Sequence, residues 1–148
     1  MQKMFRNLCC FMLCAGASSL QAAVTTTDLG ADSRECVLYA RSKVPALPYG
    51  MITLQDKLAI KNSSSCKAGT IAIMDYGVKI KDPKTGLYVP VGHMAYVEGC
   101  HSTSSNGAIR VTETNFSAGR KTERRASNSS LVAAQTELKI LGYYDPVK

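Results

Sequence analysis

The spacing of apolar positions changes character twice along the chain. Leu8 to Ala17 is an unbroken apolar run of about ten residues, half of the ~20 that a membrane-spanning helix requires. Ala23 to Gly30 is polar and threonine-rich and reads as a lead-in. Asp32-Ser33-Arg34-Glu35 then offers a helix start, with Asp32 or Ser33 as cap and Glu35 as the reciprocal acid. The helix runs through Cys36-Val37-Leu38-Tyr39-Ala40-Arg41 and ends before Pro45, which disfavours helical backbone in the residue ahead of it. Cys36 falls in its first turn. A second helix is predicted from Thr53 to about Lys61, capped by Thr53 with Asp56 three residues on.

From Gly69 the period becomes two. Thr70–Met74 is a short apolar strand, Val78–Lys81 alternates, Asp82-Pro83-Lys84-Thr85-Gly86 is a turn, and Leu87–Val89 resumes the strand. His93–Glu98 and Ile109–Phe116 are predicted as strands joined by a serine-rich loop from Gly99 to Gly107. Lys139–Tyr144 closes the sheet ahead of Pro146, and Ser127–Glu137 is open between helix and strand. Helices first and consecutive antiparallel strands afterwards describe an α+β domain, with the N-terminal helices packed on the sheet.

Lys3 and Arg6 precede the first apolar run, and Ser18-Ser19-Leu20-Gln21-Ala22-Ala23 follows it with small residues. That is the layout of a secretory signal peptide, residues 1–23, cut after Ala22 or Ala23. One domain, 24–148, is left to fold and is expected to be exported to the periplasm or beyond, with no stable membrane insertion. Cys9, Cys10 and Cys14 would leave with the leader. Losing Lys3 and Arg6 takes the formal charge from +7 to about +5. A moderately basic exported protein suits an anionic polymer or surface. Nucleic acid is not expected, because no zinc-ligand spacing, aromatic–basic interleaving or recognition-helix pattern is present. Arg120, Lys121, Arg124 and Arg125 form a basic segment, read first as a solvated loop and second as a contact to anionic polymer.

Three cysteines remain in 24–148: Cys36, Cys66 and Cys100. An odd count in an exported protein implies one pair and one spare thiol. About the Asp82–Gly86 turn, residues pair at indices summing to about 168, which brings Cys66 close to Cys100 just outside neighbouring strand ends. Such a bridge closes a loop of about 35 residues and contributes roughly 3 to 4 kcal/mol in the chain-entropy model. Cys36 is then the free thiol. At a helix start the unpaired N–H groups favour the thiolate, which is the nucleophilic form, although that position alone favours an inert buried cysteine or a disulfide partner over a nucleophile.

The strands supply a partner. About the Gly99–Gly107 loop, indices pair at sums of about 207, placing His93 opposite the Glu113–Asn115 stretch. Glu113 and Asn115 share a strand face, so either can accept from one ring nitrogen of His93 and leave the other for a thiol. Nucleophile, base and orienting group are the parts of a covalent amide hydrolase.

Glu35-Cys36-Val37-x-Tyr39-x-Arg41, Pro45-x-Leu47-Pro48-x-Gly50 and Lys67-x-Gly69-x-Ile71-Ala72-Ile73 are followed by Gly92-His93-Met94-Ala95-Tyr96-Val97-Glu98. Val111-Thr112-Glu113-Thr114-Asn115-Phe116 and Leu141-Gly142-Tyr143-Tyr144-Asp145-Pro146 complete the series. In this order and spacing the blocks resemble the CHAP family of cysteine- and histidine-dependent amidohydrolases and peptidases, from about residue 34 to 146. The resemblance implies a papain-like fold. Its site would use Cys36 as nucleophile, His93 as base, Glu113 as third member and Asn115 as the fallback orienter. The Cys36 backbone N–H would help hold the oxyanion. It implies cleavage of peptidoglycan or its stem peptides, as an N-acetylmuramoyl-L-alanine amidase or an endopeptidase, by a monomer using neither metal nor cofactor. An amide-forming acyltransferase, a non-catalytic wall-binding domain and an antibacterial toxin are the alternatives. The presence of Cys36, His93, Glu113 and Asn115 together favours an active site.

Overall fold

A computed structural model describes residues 22–148. Residues 1–21, and with them all but the end of the expected leader, lie outside the described residues. Elements follow in the order β1 (Ala23–Ala31), α1 (Cys36–Lys43), α2 (Leu54–Ala59), β2 (Ile71–Met74), β3 (Lys79–Lys81) and β4 (Tyr88–Pro90). Then come β5 (His93–Ser102), β6 (Gly107–Thr114), β7 (Arg120–Asn128), α3 (Leu131–Glu137) and β8 (Ile140–Tyr144). Six strands form one antiparallel sheet in the order β1-β7-β6-β5-β2-β8, and β3 with β4 makes a separate hairpin. The architecture is α+β, as the change of period predicts.

Strand alternation divides the core into two layers. Ile71, Ile73 and Met94 pack with Ala40, Val44, Leu47 and Met51 on the side of α1. Ala72, Ala95, Val97, Ile109, Val111 and Ala126 pack with Ala134 and Leu138 on the side of α3. The sheet thus carries helices on both faces. Among the described residues no helix is long and apolar enough to cross a membrane.

Local chemistry explains several boundaries. Thr53 caps α2 by accepting from the Asp56 N–H at 3.1 Å, while Asp56 Oδ2 accepts from the Thr53 N–H at 2.7 Å. This is the reciprocal box expected there. Asp82 organises the β3–β4 turn by accepting from the Lys84 N–H and the Thr85 hydroxyl, both at 2.9 Å. Cys66 and Cys100 are joined in a disulfide, 34 residues apart in sequence. Across that turn β3 and β4 pair at an index sum of 169, as in Ile80↔Val89, and β2 and β5 at 167, as in Ala72↔Ala95, either side of the expected value.

Four expectations need correction. Ala23–Gly30 is not a lead-in but strand β1 at the sheet edge, held by β7 from Ala23↔Ser127 to Ala31↔Arg120. The Gly99–Gly107 loop shrinks to the few residues between Ser102 and Gly107, because β5 continues through Gly99 with an irregularity in its pairing between Val97 and Gly99. The Arg120–Arg125 segment is the first part of β7 and not a solvated loop. Neither Asp32 nor Ser33 caps α1: the cap is Glu35, with no side-chain capping bond, and Cys36 is the first helical residue. Asp32 is occupied by Arg34, whose Nη2 reaches Oδ2 at 2.6 Å. Ser127–Glu137, open in the sequence, divides into the end of β7 and α3, with Ser130 capping α3 through the Ala133 N–H at 3.1 Å.

Candidate active site

One end of the sheet collects an unusual set of side chains. Met74 ends β2 and pairs with His93 at the start of β5. Glu113 lies near the end of β6 and Arg124 on the adjacent β7. All four lie on one face, where alternation continues the rows of Ala95, Val111 and Ala126. A run of apolar residues would complete the core here. Instead His93 is 6% exposed, Glu113 0% and Arg124 5%. Buried ionisable groups are costly unless paired, and these are paired with one another.

His93 Nε2 lies 2.7 Å from Glu113 Oε2, as a close ion pair and not as a well-aligned hydrogen bond. Arg124 Nε contacts Glu113 Oε1, and its Nη2 reaches Oε2 at 3.4 Å. The guanidinium lies against two aromatic rings that meet edge-on, 4.8 Å from the centroid of Tyr76 and 4.2 Å from that of Phe116. Tyr76 also packs against the His93 ring, centroids 4.9 Å apart, and its hydroxyl donates to Glu113 Oε2 at 3.3 Å. Glu113 is therefore clamped on three sides.

The thiol arrives from the other helix layer. Among the described residues Cys36 is the free cysteine, half-buried at the first position of α1. Tyr39, one turn on, anchors this helix: its hydroxyl donates to Thr112 Oγ1 at 2.9 Å, and Thr112 donates onward to Glu98 at 2.7 Å. Because Thr112 adjoins Glu113, the same stretch of β6 fixes both the Cys36 helix and the Glu113 carboxylate. On the histidine side, Gly92 turns the chain into β5 with φ of 64°. A Cβ there would stand 2.7 Å from Leu54 Cδ1, so close passage under α2 demands glycine.

The Cys36 thiol and the His93 imidazole face the same groove, close enough for each to shift the other's titration. With Nε2 turned to Glu113, Nδ1 is left for the sulfur. Burial alone would push the thiol up, but the imidazole, the Met94 N–H and the Lys57 ammonium outweigh it, and the thiol lies below its ordinary value. Burial alone would lower the imidazole, yet contacts with Cys36 and Glu113 raise it to about 9. The two shifts act in the same sense, favouring the thiolate–imidazolium pair over the neutral thiol and imidazole. Burial pushes the Glu113 carboxyl up, and the imidazole opposes that push. The guanidinium on its other oxygen opposes it further.

Cys36 and His93 open into a groove of about 760 Å³ lined also by Tyr49, Met51, Lys57, Ile80 and Phe116. Of the two acceptors foreseen for His93, Glu113 makes the contact. Asn115 lines the exposed rim of the groove with φ of 62°, and its N–H donates to Arg120 O at 3.1 Å. Among the described residues no cluster of three or more His, Cys, Asp or Glu side chains is placed to hold a metal ion.

Sequence reasoning missed Arg124, Tyr76 and Lys57. Arg124 was noticed only as part of a basic run, and the usable signal was its place two residues before Ala126 in an alternating strand. Tyr76 and Lys57 carry no local signal, since one follows a strand and the other sits inside a short polar helix. Comparison with known proteins found no significant similarity of the chain to a family model, a curated protein or a solved structure.

Proposed function

We propose that the chain is an exported, papain-like cysteine hydrolase of the CHAP type that cuts an amide bond of peptidoglycan or its stem peptides. The observation that carries this reading is a free thiol at a helix start that shares a groove with an imidazole whose Nε2 is 2.7 Å from a buried carboxylate. The blocks around Cys36, His93 and Glu113 support the family assignment. Export is supported by the leader and by the Cys66–Cys100 disulfide, a bond that persists in oxidising compartments.

The Cys36 thiolate attacks the amide carbonyl carbon, forming a C–S bond as the carbonyl pair moves to oxygen. The Cys36 N–H, unpaired at the helix start, faces that oxyanion. His93, protonated, gives its proton to the amide nitrogen as the C–N bond breaks and the amine leaves. A thioester remains. Neutral His93 then takes a proton from water, the hydroxide adds to the thioester carbonyl, and the C–S bond breaks to release a carboxylic acid and the thiolate. Glu113 holds the ring in one orientation and favours its charged form throughout. Asn115, on the groove's rim, is assigned to substrate contact.

Mass spectrometry of purified peptidoglycan digested by the mature protein should reveal one new amine and one new carboxylate terminus per cut, which also identifies the bond. The Cys36→Ala variant should leave the polymer intact while melting close to the wild type. Cleavage by that variant at the wild-type rate would reject the mechanism. Thiol labelling of the oxidised protein should mark Cys36 and spare Cys66 and Cys100, and activity should survive chelators.

A further inference from the structure

Lys57 belongs to α2, yet its side chain is turned inward and is 1% exposed. Its Nζ donates to Ile52 O at 3.1 Å and to Val91 O at 2.6 Å. Both acceptors are neutral carbonyls. Among the described residues no carboxylate lies within salt-bridge distance of it. The neighbouring Asp56 carboxylate is taken up by the Thr53 and Ile52 N–H groups of the α2 start. A buried ammonium held only by carbonyl dipoles lacks the counter-charge that burial ordinarily demands. Lys57 lines the same groove as Cys36 and His93, so the anion it faces is the one that chemistry creates there.

We propose that Lys57 is a positioning residue for negative charge at Cys36, favouring the thiolate and, during turnover, the oxyanion beside it. This rests on the reading of Cys36 as nucleophile. The groups that act on the sulfur come from two elements: His93 and the Met94 N–H on β5, and Lys57 on α2. Glu35 and Asp56 are the two carboxylates whose charge Lys57 also feels. Burial pulls the Lys57 ammonium down, and the negative charge of Cys36 is the foremost influence opposing that pull. A competing, purely structural role would be to pin the Val91 carbonyl and so the entry into Gly92-His93.

The two roles separate in the pH dependence of Cys36 alkylation by iodoacetamide, followed by peptide mapping so that only Cys36 is scored. No peptidoglycan is needed, so this test is independent of whether the amide-hydrolase reading holds. Lys57→Met should move the rising limb up by roughly one pH unit, a tenfold loss of rate at the foot of the limb, while Lys57→Arg stays near the wild type. An unmoved limb in Lys57→Met, or an equal shift in Lys57→Arg, would overturn the proposal. Should Lys57→Met not fold, the reciprocal measurement decides, because coupling between two sites acts equally on both. The Lys57 Cε resonance should titrate at lower pH in Cys36→Ala than in the wild type, and coincident titrations would overturn the proposal equally.

Discussion

Replacing Glu113 with glutamine keeps the side-chain volume and removes one negative charge from a fully buried position. Two cations lose their counter-ion. Arg124 is left as a guanidinium with a side chain 6% exposed and no anion in contact, and breaking a buried pair in this way costs about 3–5 kcal/mol. Against a total stability of about 5–15 kcal/mol the domain should still fold, with its melting point lowered by roughly 10 to 20 °C. His93 loses one of the two partners that raise it to about 9. The active form carries imidazolium, so kcat/KM falls as pH rises through the His93 value. That alkaline limb should sit near pH 9 in the wild type and at lower pH in Glu113→Gln, with the plateau reduced on the order of 10²-fold or more. Stability follows the same sign. A group whose folded value is raised above its ordinary 6.5 stabilises fully below that value and loses its contribution as pH climbs through about 9. Scanning calorimetry should therefore show the wild-type advantage over Glu113→Gln largest in mildly acidic buffer and smaller above pH 9. The double variant Glu113→Gln/Arg124→Met removes the orphaned cation. It should regain melting temperature while keeping the low plateau and shifted limb. If activity returned together with stability, Glu113 would be a structural acid and the assigned role would be refuted.

Three further outcomes can be checked directly. Cys36→Ala should abolish the release of new termini from peptidoglycan and change the melting point by no more than a few degrees, read by mass spectrometry and calorimetry. Reducing Cys66–Cys100 opens a crosslink spanning 34 residues and should cost roughly 3 to 4 kcal/mol in a denaturant titration while leaving initial rates unchanged below the melting transition. Gly107→Ala places a Cβ 2.0 Å from the Leu131 nitrogen and 2.1 Å from the Ser130 carbonyl carbon. Because backbone cannot yield as a side-chain tip does, the loss should exceed about 2 kcal/mol, whereas the alkylation rate of Cys36, which sits on α1 and faces His93 and not the Gly107 end of β6, should hold.

What could be read from the chain follows from how local the governing physics is. The Thr53–Asp56 box needs only four consecutive residues, and it formed as expected. The disulfide followed from counting across one turn, because the pairing sum changes only from 169 in β3–β4 to 167 in β2–β5, and a slip of two leaves every side chain on its own face. The β5–β6 pairing shows the limit. Beyond the irregularity between Val97 and Gly99 its indices run one higher than before it, as in Tyr96↔Thr112 against His101↔Ala108. β1 escaped notice because seven of its first residues are exposed on both faces at the sheet edge, which leaves no alternation to detect. β7 does alternate, with Thr122, Arg124 and Ala126 facing in. A hydrophobic pattern cannot register an inward arginine whose compensating charge lies on another strand.

That blind spot has a common cause at the site. Arg124, Glu113, His93 and Cys36 form a row of alternating charge across three strands and a helix start, and Lys57 lines the groove that the sulfur faces. Each member taken alone is a buried charge costing several kcal/mol. Together, each anion is flanked by cations, so the row is tolerable only as a whole and its members act non-additively when removed singly. With Cys36 as thiolate the row holds three cations and two anions, leaving one positive charge in excess beside the groove. In the proposed mechanism a tetrahedral intermediate brings a negative charge to oxygen as sulfur gives its charge up to the new C–S bond. The charge therefore moves by about the length of two bonds within a field already set for it. Little of the surroundings has to reorganise, and preorganised charge in a water-poor site supplies the largest single share of many enzymatic accelerations. On this argument the buried arginine and lysine belong to the same device as the cysteine and histidine, although only the latter two announce themselves in the chain.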